Sequence, residues 1–374
     1  MATNTLEDLV DAMNRIAPSH LAEEWDNVGL LLGERRSPVA KVLLCIDLTL
    51  DVVDEAISKE VDGVIAYHPP IFQPRRRITD EDAGGRILLA LLQAGIGVHS
   101  PHTAADTAEG GVNDWLIAGV GSGTRTSLSP ASSLPAGEAC KIVTYAPRTA
   151  VDSLRRGMSA AGAGRIGNYE SCAVEIEAMG TFRGNESSNP ATGQRGRLER
   201  IEEVRLEMVC GRDVMAEAIA RLRESHPYEE PPIEIYPQLS RPISTIGAGR
   251  TMMLEAPATT ATVAQRLRDH LKTDRMTVSE TAPRREHRRV GVCAGSGAEL
   301  LGPAIEQGCT LFVTGELKHH DVLEARARSC DVILAGHTNT ERGWLKECRT
   351  MLRRRLPDVE FVLSRADRDP LRNL

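Results

Sequence analysis

Aromatic side chains make up only 3% of the 374-residue chain: four Phe, five Tyr and three Trp. Leu, Val, Ile and Ala must therefore fill the core. No apolar run approaches the roughly 20 residues that a membrane helix needs, so no contact with a membrane is expected. The eight cysteines include no C-x-x-C pair, and several lie in apolar runs, such as Cys45 in "VLLCID" and Cys293 in "VGVCAG". They suit buried small hydrophobes in a reducing compartment better than a disulfide framework. A basic surplus is missing too. The net charge is −7, which argues against non-specific nucleic-acid or membrane-surface binding. The N-terminus "MATNTLEDLV" has no basic segment leading into an apolar core, so no signal peptide is read and the expected location is cytoplasmic.

The length exceeds one typical domain of about 100–200 residues, so two or three domains are expected. Strand-like runs alternate with helix-like ones. "KVLLCIDLT", "DGVIAYH" and "IGVHS" read as strands separated by "LDVVDEAISKE" and "AGGRILLALLQAG", the latter closed by Gly95. That order predicts a parallel α/β sheet. The last third repeats it, with strands "RRVGVCAG", "TLFVTG" and "DVILAGH". An internal duplication of an α/β half follows, with halves at residues 1–131 and 241–374. Between them, "SSLPAGEA" reads as a linker. Residues 138–240 then run β-α-β-β-α-β, which predicts a ferredoxin-like α+β insert.

Each copy also writes His-Thr-x-x-carboxylate followed by Trp-Leu: His102 to Asp106 before Trp115, and His337 to Glu341 before Trp344. In parallel α/β sheets, ligands bind beyond the carboxyl ends of strands. His68, His102 with Asp106, and His337 with Glu341 all follow apolar strands. Three imidazoles and two carboxylates on one side suit a Zn, Mn or Fe site, and are enough for two ions. A single His near a strand end is more often a surface histidine; the recurrence of type and spacing makes the case. His102 and Asp106 are expected in a Gly-terminated loop. His319-His320 reads equally as a solvated helix start or as one imidazole serving the site as a proton shuttle. "CAGSGAEL" reads as a tight turn or a weak phosphate seat. Asp26 in "EEWDNVGL" reads as a cap or as a lining residue.

"WDNVGL", "YHPPIF", "SPHTAADTAEGGVNDWL", "GSG", "TGELKHHD" and "GHTNTE" occur in the order seen in the Nif-three-like family, many of whose members are labelled GTP cyclohydrolase 1 type 2 homologues. The chain resembles the long form with a PII-like insert, from about Trp25 to its C-terminus. The resemblance implies duplicated α/β halves, a homohexamer and a dinuclear metal centre. His68, Asp106 and Glu341 would hold one ion, and His337 with a bridging Glu341 the second. His102, His319 or His320 would relay protons. The implied substrate is a small molecule, a nucleotide or similar phosphorylated compound. Tyr67 departs from the pattern, because many members have a second histidine there. A neutral phenol is a poor ligand, so the second site is expected to be weaker, completed differently with His102 as a candidate, or empty.

Overall fold

The computed structural model describes residues 4–133 and 136–371; part of the expected linker, residues 134–135, lies outside them. The chain divides between Ala131 and Ser132 and again between Pro242 and Ile243. The first and last stretches form one compact unit, and the middle stretch forms the other.

In the larger unit, Thr5 caps α1 (Leu6–Asn14) in a capping box with Asp8. This ties up two amides that the first turn leaves free. There follow β1 (Gly29–Leu32), β2 (Lys41–Cys45), α2 (Leu50–Ser58), β3 (Gly63–Ala66), α3 (Ala83–Ala94), β4 (Gly97–Ser100), α4 (His102–Thr107), α5 (Val112–Ala118) and β5 (Gly123–Ser133). The middle unit contains β6 (Cys140–Ala146), α6 (Arg148–Ala160), β7 (Val174–Phe182), β8 (Glu199–Cys210), α7 (Met215–Ser225) and β9 (Ile233–Pro237). Its sheet order, β7-β8-β6-β9, is that of a ferredoxin-like fold.

After β10 (Arg241–Thr259) the second half repeats the first. It runs α8 (Thr260–Leu271), β11 (Thr277–Ser279), β12 (Glu286–Ser296), α9 (Ala298–Glu306), β13 (Leu311–Glu316), α10 (His319–Ala327), β14 (Asp331–Leu334), α11 (Asn339–Arg342), α12 (Trp344–Arg355) and β15 (Glu360–Leu363). The correspondence is strand by strand. β2, β3 and β4 run parallel in one sheet, and β12, β13 and β14 in the other. Each sheet carries an antiparallel edge strand beside its last parallel one, β1 on β4 and β11 on β14. The halves also exchange edges. β15 adds to β2 of the first sheet, and β5 joins β10 on the second.

Alternation along the strands builds three layers of core. Leu43, Val64 and Val98 face α2 and α3, while Phe312 and Val332 face α9 and α10. Between the sheets, Val42, Leu44, Ile65, Val292, Val313 and Ile333 join Leu6, Met13, Trp344 and Phe361 in one shared core. The repeated Trp-Leu pairs meet across it. The Trp344 indole donates to the Gly110 carbonyl at 3.2 Å. A Cβ on Gly343 would come within 1.9 Å of the Trp115 ring. That contact explains why the residue between α11 and α12, Gly343, is a glycine. The segment starting at His102 is helical, not the expected loop.

His99 on β4 is only 2% exposed, and among the described residues neither ring nitrogen has a hydrogen-bond partner. Burial pushes its pKa down to about 4, against about 6.5 in an unfolded chain. The unfolded state therefore takes up the proton first. Stability is complete above about pH 6.5 and is lost as pH falls toward 4. From pH 7 to 5 this group should cost about 2 kcal/mol. Urea midpoints at the two pH values should show the loss in the wild type and a correspondingly smaller one in His99→Leu; equal losses in both proteins would refute it.

Candidate metal centre

The carboxyl ends of β2, β3, β13 and β14 deliver the site's polar groups to one crevice. His68 lies just beyond β3, its amide donating to the Ile46 carbonyl at 3.0 Å. His337 follows β14, and Glu341 lies in the first turn of α11. Glu341 is 3% exposed. Its Oε2 is 3.6 Å from His68 Nε2, and its Oε1 is 3.4 Å from His337 Nε2. One ligand atom from each of the three residues lies within 4.8 Å of the others. Glu341 Oε2 is buried without a hydrogen-bond partner, which is costly for a carboxylate.

Each imidazole is held from behind by an acid. His68 Nδ1 is 2.8 Å from Asp47 Oδ1, and His337 Nδ1 is 3.0 Å from Glu316 Oε1. A carboxylate on one ring nitrogen orients the other toward an ion and makes it more basic. Burial works against charge on His68, but the Asp47 and Glu341 carboxylates outweigh it and hold the pKa up at about 10. Burial works to raise the Asp47 carboxyl, but the bond to His68 and the charges of His68, Arg342 and His337 together outweigh it and lower the pKa. Neither Asp47 nor Glu316 was singled out from the sequence. The signal was available, because each stands at the carboxyl end of an apolar strand, as His68 does.

The "CAGSG" turn closes the crevice. Gly295 has φ +62°, and a Cβ there would lie 2.7 Å from Glu341 Oε1 and 3.2 Å from His337 Nε2. Only glycine combines that backbone with that approach. Its amide donates to Thr340 Oγ1 at 2.8 Å, and Thr340 Oγ1 donates to the His337 carbonyl at 2.6 Å.

Asp106 lies outside the triad. Its Oδ1 accepts from the Tyr67 phenol at 2.6 Å. Burial, reinforced by Glu341 and opposed by the Tyr67 bond, pushes its pKa up to about 6. Burial and the neighbouring Asp106 push the Tyr67 phenol well above its ordinary value, so Tyr67 acts as a neutral donor. His102 stands beside this pair, with its ring centroid 5.7 Å from Tyr67 and 5.4 Å from His68. Its Nδ1 is 2.8 Å from Asp26 Oδ1, and Asp26 also accepts from the Thr103 amide and hydroxyl. Asp26 thus serves as an orienting partner. The φ of +24° at His102 is sparsely populated for a residue with a side chain, a strain typical of functional sites. His319 and His320 are exposed at the start of α10, ring centroids 5.8 Å apart, with no hydrogen bond to the triad among the described residues.

Asp47→Ala should weaken divalent-metal binding about 10- to 100-fold, the usual cost of losing a group that orients a ligand. Metal titration with a competing chelator reads this directly. An unchanged affinity would show that Asp47 does not set the orientation of His68.

A sequence profile of the Duf34/NIF3 (NGG1p interacting factor 3) family matches residues 4–370. The chain is 31% identical over 371 residues to a GTP cyclohydrolase 1 type 2 homolog of Halalkalibacterium halodurans, covering 97% of each chain. It is 34% identical over 375 residues to human NIF3-like protein 1, covering 98% of this chain and 92% of that one. Among solved structures, a Bacillus cereus protein related to NIF3 superposes with TM-score 0.72 at 29% identity. The Staphylococcus aureus protein SA1388 superposes with TM-score 0.82 at 25% identity. Both matches cover the whole of each chain.

Proposed function

The chain belongs to the Duf34/NIF3 family, and on that premise we propose that it is a metal-dependent hydrolase of a nucleotide or another small phosphorylated molecule. The observation that carries the reading is Glu341, buried between two imidazoles that are each braced by a carboxylate. These groups fit a Zn, Mn or Fe ion in donor type and mutual distance. A bound divalent ion would lower the pKa of a water and polarise the bond under attack.

The chain's own residues divide the remaining work. His68 and His337 offer Nε2, and Glu341 offers both oxygens, one toward each imidazole. By the family resemblance Asp106 would join His68 and Glu341 on the first ion, while the Tyr67 phenol holds its Oδ1. Tyr67 stands where the family resemblance places a histidine ligand of the second ion, and a neutral phenol bound to Asp106 leaves that ion to His337 and Glu341, which makes it the weaker of the two. We assign proton transfer to His102 and not to His319 or His320. His102 has an orienting carboxylate and stands beside the triad, whereas the other two are solvated. Trp25 and Phe72, 59% and 45% exposed, flank His102 at ring distances of 6.1 and 6.3 Å. Exposed rings at the mouth of the site suit the stacking of a nucleobase, which supports a nucleotide substrate. The label on the bacterial relatives makes GTP the first one to try. The proposed assembly is a homohexamer in the cytoplasm, and a monomer by light scattering would count against that part.

The test is incubation with GTP and Mn²⁺ or Zn²⁺, scored for formate and for phosphate against an Asp106→Ala/Glu341→Ala control. No formate above the control removes the cyclohydrolase assignment, and no turnover across a panel of phosphoesters removes hydrolysis altogether. A second reading, a regulatory metal-binding protein, is favoured by Tyr67 holding an oxygen of Asp106. It predicts tight metal binding without turnover.

A further inference from the structure

The ferredoxin-like unit contains a cavity of about 390 Å³, in the size range of small-ligand sites. Its walls come from the end of β7, the loop over residues 184–192 and the "YEEPP" segment. In a chain so poor in aromatics, two of the five tyrosines and one of the four phenylalanines line it: Tyr145, Tyr228 and Phe182. The ionisable side chains of its wall, apart from those tyrosines, are three carboxylates, Glu203, Glu229 and Glu230; no Lys, Arg or His belongs to it.

Glu203 is built into this wall. It lies on β8 and is 7% exposed. Its Oε1 accepts from the Tyr228 phenol at 2.7 Å. Burial and this bond push the phenol well above its ordinary value, so it remains a donor. A Cβ on Gly180 would fall 2.0 Å from Glu203 Oε2, so β7 leaves room for that oxygen only by having glycine there. Arg205, two residues along β8, is taken by Glu207 at 2.8 Å, and Lys141 by the same residue at 2.7 Å. Among the described residues no cation pairs with Glu203. The rest of the wall is also fixed. His226 Nε2 lies 3.1 Å from the Tyr145 carbonyl, and the Asn189 amide donates to Glu229 Oε2 at 2.7 Å.

A buried carboxylate is stable only when its charge is met, and aromatic faces attract cations most strongly where water is excluded. We propose that this cavity binds a small organic cation with a flat apolar body, such as an amidinium, guanidinium or aromatic amine. The positive group faces Glu203, and the body lies among Tyr145, Phe182 and Tyr228. A nucleotide does not suit it, because a phosphate would meet three carboxylates. The site is therefore distinct in ligand chemistry from the metal crevice.

Benzamidinium and benzamide have nearly the same shape but differ in charge, so they isolate the proposal. Calorimetric titration of the full-length chain at pH 7.5 should show saturable benzamidinium binding, with Kd on the order of 1 mM or tighter for a fragment of this size. Benzamide should bind at least about tenfold more weakly. Glu203→Gln, which keeps the shape and the bond from Tyr228, should abolish the preference for the cation. If that variant fails to fold, Gly180→Ala displaces the same carboxylate and should do likewise. Equal binding of the two probes, no saturation by either, or an unchanged preference in the folded variant overturns the proposal. Saturation by a blocked Gly-Arg-Gly peptide with none by benzamidinium would overturn it in favour of a protein ligand.

Discussion

Glu341→Ala is expected to abolish the chain's response to divalent metal. In the wild type, an ion at 100 times its Kd should raise the unfolding free energy by about 2.7 kcal/mol. In the variant, the same concentration should produce almost no shift. Among the described residues, Glu341 is the one whose two oxygens face two different imidazoles. Its loss should therefore exceed the 10- to 100-fold that removing an orienting neighbour costs. The apo-protein should still fold, because among the described residues the Glu341 carboxylate makes only the 3.6 and 3.4 Å contacts to the two imidazoles and no shorter hydrogen bond. Denaturant melts with and without Mn²⁺ separate the two effects. A variant that is still stabilised by metal to the wild-type extent would remove Glu341 from the site.

The largest loss of stability is expected at Arg250, which is 1% exposed on β10. Every guanidinium donor is used. Nε and one Nη bind the two oxygens of Asp114 at 3.0 Å each, and the remaining bonds reach the carbonyls of Gly247, Gly249 and Ala108. Asp114 is itself buried, on α5 of the other half. Arg250→Ala would leave the carbonyls of Gly247, Gly249, Thr107 and Ala108 without this donor, and Asp114 with only the Gly110 amide at 2.7 Å and the half-exposed Arg125 at 3.4 Å, at a cost of about 3 kcal/mol. Arg250→Lys should recover only part of this, because an ammonium cannot form the paired contact. Urea unfolding of the three proteins checks the order. A loss below about 1 kcal/mol, the level of an exposed ion pair, would contradict it.

The duplicated α/β halves and the order of elements in the insert were legible because strand and helix periodicity is local. The exchange of β15 and β5 between halves was not, because it depends on pairing across hundreds of residues. His68, His337 and Glu341 were found by one rule, that polar residues at the carboxyl ends of parallel strands converge. The same rule applies to Asp47 and Glu316, but in the sequence a carboxylate that serves a histidine from behind looks like any other strand-end acid. Tyr67 was visible as a departure from the family pattern. That its phenol would occupy Asp106 depended on two side chains 39 positions apart. Arg250 gave no signal, because an arginine in "GAGR" looks the same whether it faces solvent or the buried carboxylate of Asp114.

The most direct measurement is anomalous diffraction from crystals of the full chain grown with Mn²⁺ or Zn²⁺. The expected result is a peak between His68 Nε2 and Glu341 Oε2, with any second peak between Glu341 Oε1 and His337 Nε2 at lower occupancy. An ion bound elsewhere, or none beside Glu341 at saturating metal, would contradict it.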